Sequence, residues 1–429
     1  MNSIHKTFSV SLIACLVGLA ASAAHAQERV LAMAPADTAL SQRQAAILEL
    51  GKASSAALGA SLVSSRIGSL ANPSASARIT LALGDDTELT ASRVAGLTGP
   101  EGGVWRGTID DTGGQVALMW WNDGTIVGTV QNGDRLYSIR PMGGSLHAVV
   151  ALSEGRMPPD HAPQVLVSSK DRFGHSNAVQ ALRAVTSRGP RRSPVLPPRQ
   201  AADAPQSAAG EVVIDVMVAY TRKAAAHYSD VRRDLIELAI EEANESFRRS
   251  NLGHVKLRLV HTYATDYAEE GTHFDHVWRL ADKGDGYMDE VHELRNAYRA
   301  DVVLLIVDDA AGCGLATRVH PEADEAFAVV HHECAATTHS VAHEVGHIIG
   351  ARHELAIDKI MTPFPHGHGY VNGNKWRDIM SYRDSCGGCP RVPVWSSPTV
   401  LVRGEPAGTE QENNARVIAE ESARVAAFR

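Results

Sequence analysis

Residues 343–353 read HEVGHIIGARH. On a helix, residues four apart fall one turn apart on the same face, so the imidazoles of His343 and His347 project together and can share one metal ion. Glu344 stands beside the first of them, within reach of a water on that ion without ligating it. Gly350 lets the backbone leave the helix in a left-handed conformation and turns the chain so that His353 supplies a third nitrogen. Three neutral imidazoles leave a fourth tetrahedral position for water, the arrangement of a catalytic zinc site rather than a closed structural one. No thiolate or carboxylate cluster accompanies them, which argues against softer or harder ions, so a single Zn2+ is the expected cofactor. Nine of the 20 histidines lie between His320 and His368, so the chemistry is expected in this stretch.

HExxH alone is short enough to arise by chance on unrelated helices, whereas the eleven-residue HExxHxxGxxH is far more specific. Met380, in DIMSY (residues 378–382), follows His353 by 27 residues. Together the two stretches match the metzincin signature with its Met-turn, in which Met380 forms a hydrophobic floor under the three imidazoles. The competing scheme takes its third ligand, a Glu, from a separate downstream helix, and Glu354 follows His353 too closely for that. Tyr382 is placed as in those metzincins where a tyrosine ligates the resting metal or hydrogen-bonds the oxyanion; core packing is its alternative role. His331, His332, His339, His366 and His368 are expected to be structural or solvated, with a supporting role for any of them left open.

Working outward, the flanking chain alternates strands and helices. EVVIDVMVAY (from Glu211), VKLRLVHTY, VVLLIV and EAFAVVHH read as strands, the last at the edge of the sheet. Val231, Leu235, Ala239, Ala243 and Phe247 mark one amphipathic helix and Met288, Val291, Leu294 and Tyr298 a second. A third closes the chain, opened by a Thr409/Glu412 capping box. The pattern predicts a three-layer α/β (α+β) domain over 211–429: a metzincin-type zincin with a twisted mixed sheet, an active-site helix and a Met-turn. Residues 27–188 differ. After an Ala-rich helical stretch at 39–68, short apolar runs alternate with turn signals, and TVQNGDRLYSI is a strong hairpin signal. A mainly antiparallel β domain is expected, with no catalytic constellation. Residues 189–210 are rich in Pro and Arg, an extended linker. Residues 1–26, with Lys6, an apolar run and Ala24-His25-Ala26, read as a secretory signal peptide too short to span a membrane.

Composition agrees with export. The signal carries Cys15; the other four cysteines form an even set, read as two disulfides with three possible connectivities, of which Cys313–Cys334 and Cys386–Cys389 are favoured. A lone CxxC lacks the partner that a zinc knuckle needs. The net charge of −8 gives no sign of nucleic-acid binding, and no later apolar run suggests a membrane partner; a monomer is expected. Lys375, Arg377, Arg383 and Arg391 cluster after the active-site helix, where a buried cation would select an acidic side chain and solvated surface charge is the plainer alternative.

The stretch HHECAATTHSVAHEVGHIIGARH, with WRDIMSY and CGGCPRVPVWSSP, resembles the bacterial peptidyl-Asp metallopeptidases (Asp-N type endopeptidases) over most of the chain from Glu211 onward, and the first half resembles that family's propeptide. The resemblance implies zinc on His343, His347 and His353, a catalytic Glu344, and cleavage of protein or peptide substrates on the amino side of Asp, with Glu or oxidised Cys as further candidates. The first half then reads as an intramolecular inhibitor. It has no Cys between 27 and 210 to cap the zinc, and release would come from a cut in the linker, by the enzyme itself before Asp203. Two other readings stay open: a secreted metzincin of broad specificity, and an exported zinc-binding protein with a vestigial site, against which the intact Glu344 speaks.

Overall fold

A computed structural model describes residues 28–68, 70, 77–84, 86–160 and 210–429. The expected signal peptide (1–26) lies outside the described residues, as does the linker apart from Gly210.

The first half closes on itself. Nine strands form a barrel in the order β1-β2-β9-β8-β7-β6-β5-β4-β3. They are β1 (Glu28–Met33), β2 (Ala57–Ser65), β3 (Arg78–Gly84), β4 (Thr87–Thr98), β5 (Gly102–Ile109), β6 (Gln115–Trp121), β7 (Ile126–Asn132), β8 (Arg135–Gly143) and β9 (Leu146–Ser153). From β3 to β9 the chain is a meander of hairpins, and only the closing β1–β3 pair is parallel. Closure removes both sheet edges, and Trp105, Trp120, Leu81, Leu118 and Val149 fill the interior. The turn signals fall between strands as expected; Gly133, at φ 67°, sits in the two-residue turn between Asn132 and Arg135. The helical reading of 39–68 needs correction. Only Gln42–Ala53 is helical, capped by Ser41, and from Ala57 the chain is β2, because its small residues fit the barrel wall between β1 and β9.

The second half is a five-stranded sheet in the order β11-β10-β12-β14-β13. Its strands are β10 (Val212–Thr221), β11 (Val255–Thr265), β12 (Val302–Val307), β13 (Gly314–Ala316) and β14 (Phe327–His331), all parallel except β13. Alternate side chains of each buried strand face opposite layers. Val216, Val218, Leu304, Ile306 and Val330 pack on one side against the helices Glu237–Arg249 and Ser340–Ile349. Met217, Ala219, Val303, Leu305 and Val329 pack on the other against His273–Ala281 and Glu290–Ala297. Each fully buried aliphatic side chain contributes on the order of 2 kcal/mol of transfer free energy, so VVLLIV alone anchors the sheet.

Two expectations about this half change. The edge strand is β13: it pairs with β14 on one side and leaves its other side unpaired within the sheet, so β14 is interior. A three-residue strand reading Gly-Leu-Ala carries no periodicity to reveal itself. The last helix, Asn414–Val425, is capped by Asn413, whose side chain accepts from Arg416 N, while Thr409 and Glu412 bond to each other in the loop before it. The cysteines pair as Cys313–Cys334 and Cys386–Cys389, tying the β13 approach to the chain before the site helix and closing the loop after Met380.

The halves meet through charge. Arg106 of β5, buried, faces Glu241, Glu242 and Glu245 at 3.3, 3.1 and 3.5 Å. Arg140 meets Glu333, and Arg233 pairs with Asp123 at 2.9 Å while its guanidinium lies over the Trp121 ring.

Candidate active site

Three structural devices bring the imidazoles together. The first is the helix Ser340–Ile349, whose Val341, Val345 and Ile348 are sunk in the core; His343 turns toward the 379 region, where its Nδ1 lies 2.9 Å from Ile379 O. The second is the break at Gly350, at φ 136°, where a Cβ would come within 2.8 Å of the Phe364 ring. Beyond it the chain is clamped. Arg352 N donates to Gly367 O and Gly369 N to Arg352 O, each at 3.0 Å, and His368 Nδ1 donates to His353 O at 2.9 Å. The third device is the turn at Met380, fully buried. A Cβ on Gly346 would lie 2.6 Å from the Trp395 ring and 3.2 Å from the Met380 sulfur, so only glycine lets that turn press against the helix between its two histidines.

His343 Nε2 and His347 Nε2 lie 3.2 and 3.0 Å from His353 Nε2. His347 Nδ1 is 2.9 Å from Ala351 O, as His343 Nδ1 is from Ile379 O. A carbonyl only accepts, so both Nδ1 atoms carry the proton and both Nε2 atoms present lone pairs to one another. Burial holds His343 well below the usual imidazole range, hence neutral. Facing lone pairs at this spacing repel unless a cation lies between them. A tetrahedral zinc with bonds of about 2.0–2.1 Å would set its ligand nitrogens roughly 3.3–3.4 Å apart, so the triad fits such an ion.

Glu344 is buried; burial raises its carboxyl to about 8, against the opposing Ala316 backbone hydrogen bond and the Arg391 charge. Its Oε2 has no hydrogen-bond partner. The Tyr382 ring lies 4.4 Å from that of His353, tilted by 51°, and its buried hydroxyl is also unpartnered; burial drives its pKa up, so it remains a donor. Glu354, set aside as a ligand, instead accepts from Tyr382 N at 3.2 Å and from Ser385 Oγ. Asp378 braces the same turn through Ser381 Oγ (2.6 Å) and Ser396 N (3.1 Å).

The structure separates the four cations. Lys375 stands exposed in an outer hairpin, paired with Glu405 at 2.6 Å. Arg377 and Arg391 are buried. Arg377 reaches Glu154 at 2.5 Å and the carbonyls of Ser381 and Cys389. Arg391 reaches Thr338 O, Ser381 O and Asp160 Oδ1 at 2.9, 3.0 and 2.8 Å. Arg383 contributes its backbone N–H, 2.9 Å from Asp160 Oδ2. His331, His332, His339 and His366 contact other groups, and His368 hydrogen-bonds a member of the triad, at the His353 carbonyl. Sequence reading named His368 with a supporting role left open, and passed over Asp160 and Glu154. His368 had a signal in the doubled HGH at 366–368; the two acids, more than 200 residues from their partners, had none.

A mixed α/β domain carrying this triad is a metallopeptidase domain, and residues 211–396 match the profile described as metallo-peptidase family M12. The chain is 32% identical over 360 residues to the peptidyl-Asp metalloendopeptidase of Xanthomonas campestris pv. campestris, covering 81% of this chain and 80% of that protein. It is 33% identical over 374 residues to that of Stenotrophomonas maltophilia R551-3, covering 81% and 82%. The Pseudomonas fragi peptidyl-Asp metalloendopeptidase is 29% identical over 190 residues, 44% of this chain and 100% of that protein. The chain belongs to the peptidyl-Asp metalloendopeptidase family and is a zinc-dependent hydrolase. No helix among the described residues is long and apolar enough to cross a membrane.

Proposed function

We propose that the protein is a secreted metzincin endopeptidase, made as a zymogen, that cuts on the amino side of Asp, with Glu and cysteic acid as weaker substrates. His343, His347 and His353 would hold its single zinc. The observation that carries this reading is the meeting of three Nε2 atoms, with Glu344 next in sequence to the first of them and its buried Oε2 unpartnered. Bound there, zinc supplies Lewis acidity, polarising a peptide carbonyl and lowering the pKa of a water toward neutrality.

The chain's own residues do the rest. Glu344, ionised when a cation is held by the neighbouring imidazoles, takes a proton from the attacking water as the water oxygen bonds to the carbonyl carbon; the C–N bond then breaks, and Glu344 delivers that proton to the departing amine. Tyr382, a neutral hydroxyl with no internal partner, donates to the oxygen that gains negative charge. The unpaired side of β13 offers main-chain groups to an extended peptide, which gives affinity with little demand on sequence. Residues 27–188 act as the inhibitory propeptide and 211–429 as the catalytic domain. Support for separable halves comes from their charged interface and from the Pseudomonas fragi relative, whose whole length matches less than half of this chain.

The test is digestion of an unfolded protein with and without chelator, with mass-spectrometric mapping of new termini. New amino termini at Asp that vanish with chelator are expected. Termini scattered over all residue types would favour the broad-specificity reading, and cleavage that persists in chelator would reject the metal mechanism.

A further inference from the structure

We propose that Arg391, with the Arg383 backbone N–H, is the pocket for the acidic side chain that follows the cut bond, and that Asp160 of the first half occupies it as a built-in substrate analogue. This deepens the peptidase reading above and rests on it.

The Asp160 carboxylate is gripped at both oxygens: Oδ1 by Arg391 Nη2 at 2.8 Å and Oδ2 by Arg383 N at 2.9 Å. Such a two-point grip specifies a planar anion rather than charge alone. Arg391 is held for the task, Nη1 donating to Thr338 O and Nη2 also to Ser381 O, while its buried Nε has no partner. Thr338 precedes the helix of the first two histidines, while Ser381 and Arg383 flank Tyr382, so the pocket bridges the helix and the Met380 turn. Tyr382, between those last two residues, has its ring 4.4 Å from that of His353, which sets the pocket next to the triad. The Asp160 carboxylate is not among the groups that converge with the three Nε2 atoms, so it sits in a side pocket and does not cap a metal.

The backbone leading to Asp160 also behaves like bound peptide. Pro159 O accepts from Cys313 N at 3.1 Å, immediately before the edge strand β13, and the next residue, Gly314, packs against the Glu344 carboxylate. If Asp160 occupies the acid pocket, the bond on its amino side is Pro159–Asp160. Its carbonyl is engaged by the Cys313 amide, and this accounts for a segment that blocks the cleft without being cut. Arginine cannot shed its proton in a protein, so when the first half leaves, Arg391, 2% exposed while Asp160 covers it, remains a cation on two carbonyls without that carboxylate. An incoming Asp side chain restores the balance that Asp160 supplied. Glu154 serves Arg377 in the same way deeper in the wall, but its partner touches neither Thr338 nor Asp160.

The experiment uses the full chain and two peptides that differ only by Asp or Asn after the cut bond. Assayed intact, before processing, the wild-type chain should be nearly silent. The isosteric Asp160→Asn chain should cut the Asp peptide about tenfold faster or more, and Asp160→Glu should stay close to wild type. After processing, Arg391→Gln should lower the Asp/Asn ratio of kcat/KM about 10- to 100-fold, the range expected for a lost charge-assisted contact, with metal content still one ion per chain. Should Arg391→Gln not fold, the Asp160 pair decides alone. If wild type cuts before Asp but Asp160→Asn is as silent as the parent, the pocket assignment is wrong. An Asp/Asn ratio unchanged in a folded Arg391→Gln enzyme overturns it too. Absence of any cleavage at acidic residues by the processed wild type would instead sink the underlying peptidase reading.

Discussion

Two clusters in the second half each gather three metal-ligand side chains: His343, His347 and His353, and, with two members just after β12 and β14, His227, Asp308 and His332. Their proton arrangements are opposite. In the second cluster Asp308 Oδ1 lies 3.0 Å from His332 Nε2 and 3.3 Å from His227 Nε2, and Lys223 Nζ is 3.3 Å from Oδ2. A carboxylate only accepts, so His332 carries its proton on Nε2 and takes the Tyr228 hydroxyl on Nδ1 at 3.0 Å. Burial keeps His332 neutral, down to about 3, while the hydrogen bonds from His227 and His332 hold Asp308 well below the usual carboxylate range despite its burial. That cluster supplies its own positive charge. In the triad two Nδ1 protons are pinned on carbonyls, so His343 and His347 both turn an Nε2 lone pair inward, toward His353. Donor count is therefore a poor guide to a metal site; the partner of the far ring nitrogen is the better one.

The comparison can be broken most violently at the triad. His347→Ala should abolish peptidase activity and bound metal together, read by metal analysis and peptide hydrolysis; full metal content in that variant would break the contrast. Glu344→Gln should cut kcat by about 10²–10⁴-fold with the ion retained, the scale of a lost general base. Asp308→Asn should do the reverse, leaving one ion and the active site in place while costing about 1–3 kcal/mol of stability through unsatisfied buried donors, seen as a lowered Tm.

A subtler effect sharpens the electrostatics where the halves meet. Burial opposes charge on Asp160, but Arg391 and Arg377 hold it at about 2; Asp123 is held at about 2 chiefly by its bond from Arg233. Both lie below the ordinary value of 3.8, so the docking they contribute is complete above pH 3.8 and fades as pH falls toward 2. Amide exchange at Arg383 and Cys313, corrected for intrinsic rate, should lose protection through that window, and Asp160→Asn should remove most of the dependence at Arg383.

Much of the triad was legible because its chemistry is local: His343, Glu344, His347, Gly350 and His353 lie within one helix and its exit, and Met380 follows on one turn. The buried strands β10 and β12 were legible for the same reason, being continuous apolar runs. What escaped was set by distance along the chain. Closure of the barrel depends on β1 meeting β3 in parallel, and the sheet edge on a three-residue strand. The helix His273–Ala281 went unread because two buried histidines stand where aliphatic residues would mark its inner face: His273 on Asp309 O and His276 between Tyr267 and Asp309. The sorting of the four cations depends on Glu154, Asp160 and Glu405, none of them a sequence neighbour of its partner.

The most direct test is a crystal of the zinc-loaded protein examined by anomalous scattering at the zinc edge. One peak is predicted, about 2.0–2.1 Å from the Nε2 atoms of His343, His347 and His353, with none beside Asp308. A peak at Asp308, or an empty triad in zinc-saturated crystals, would contradict the account.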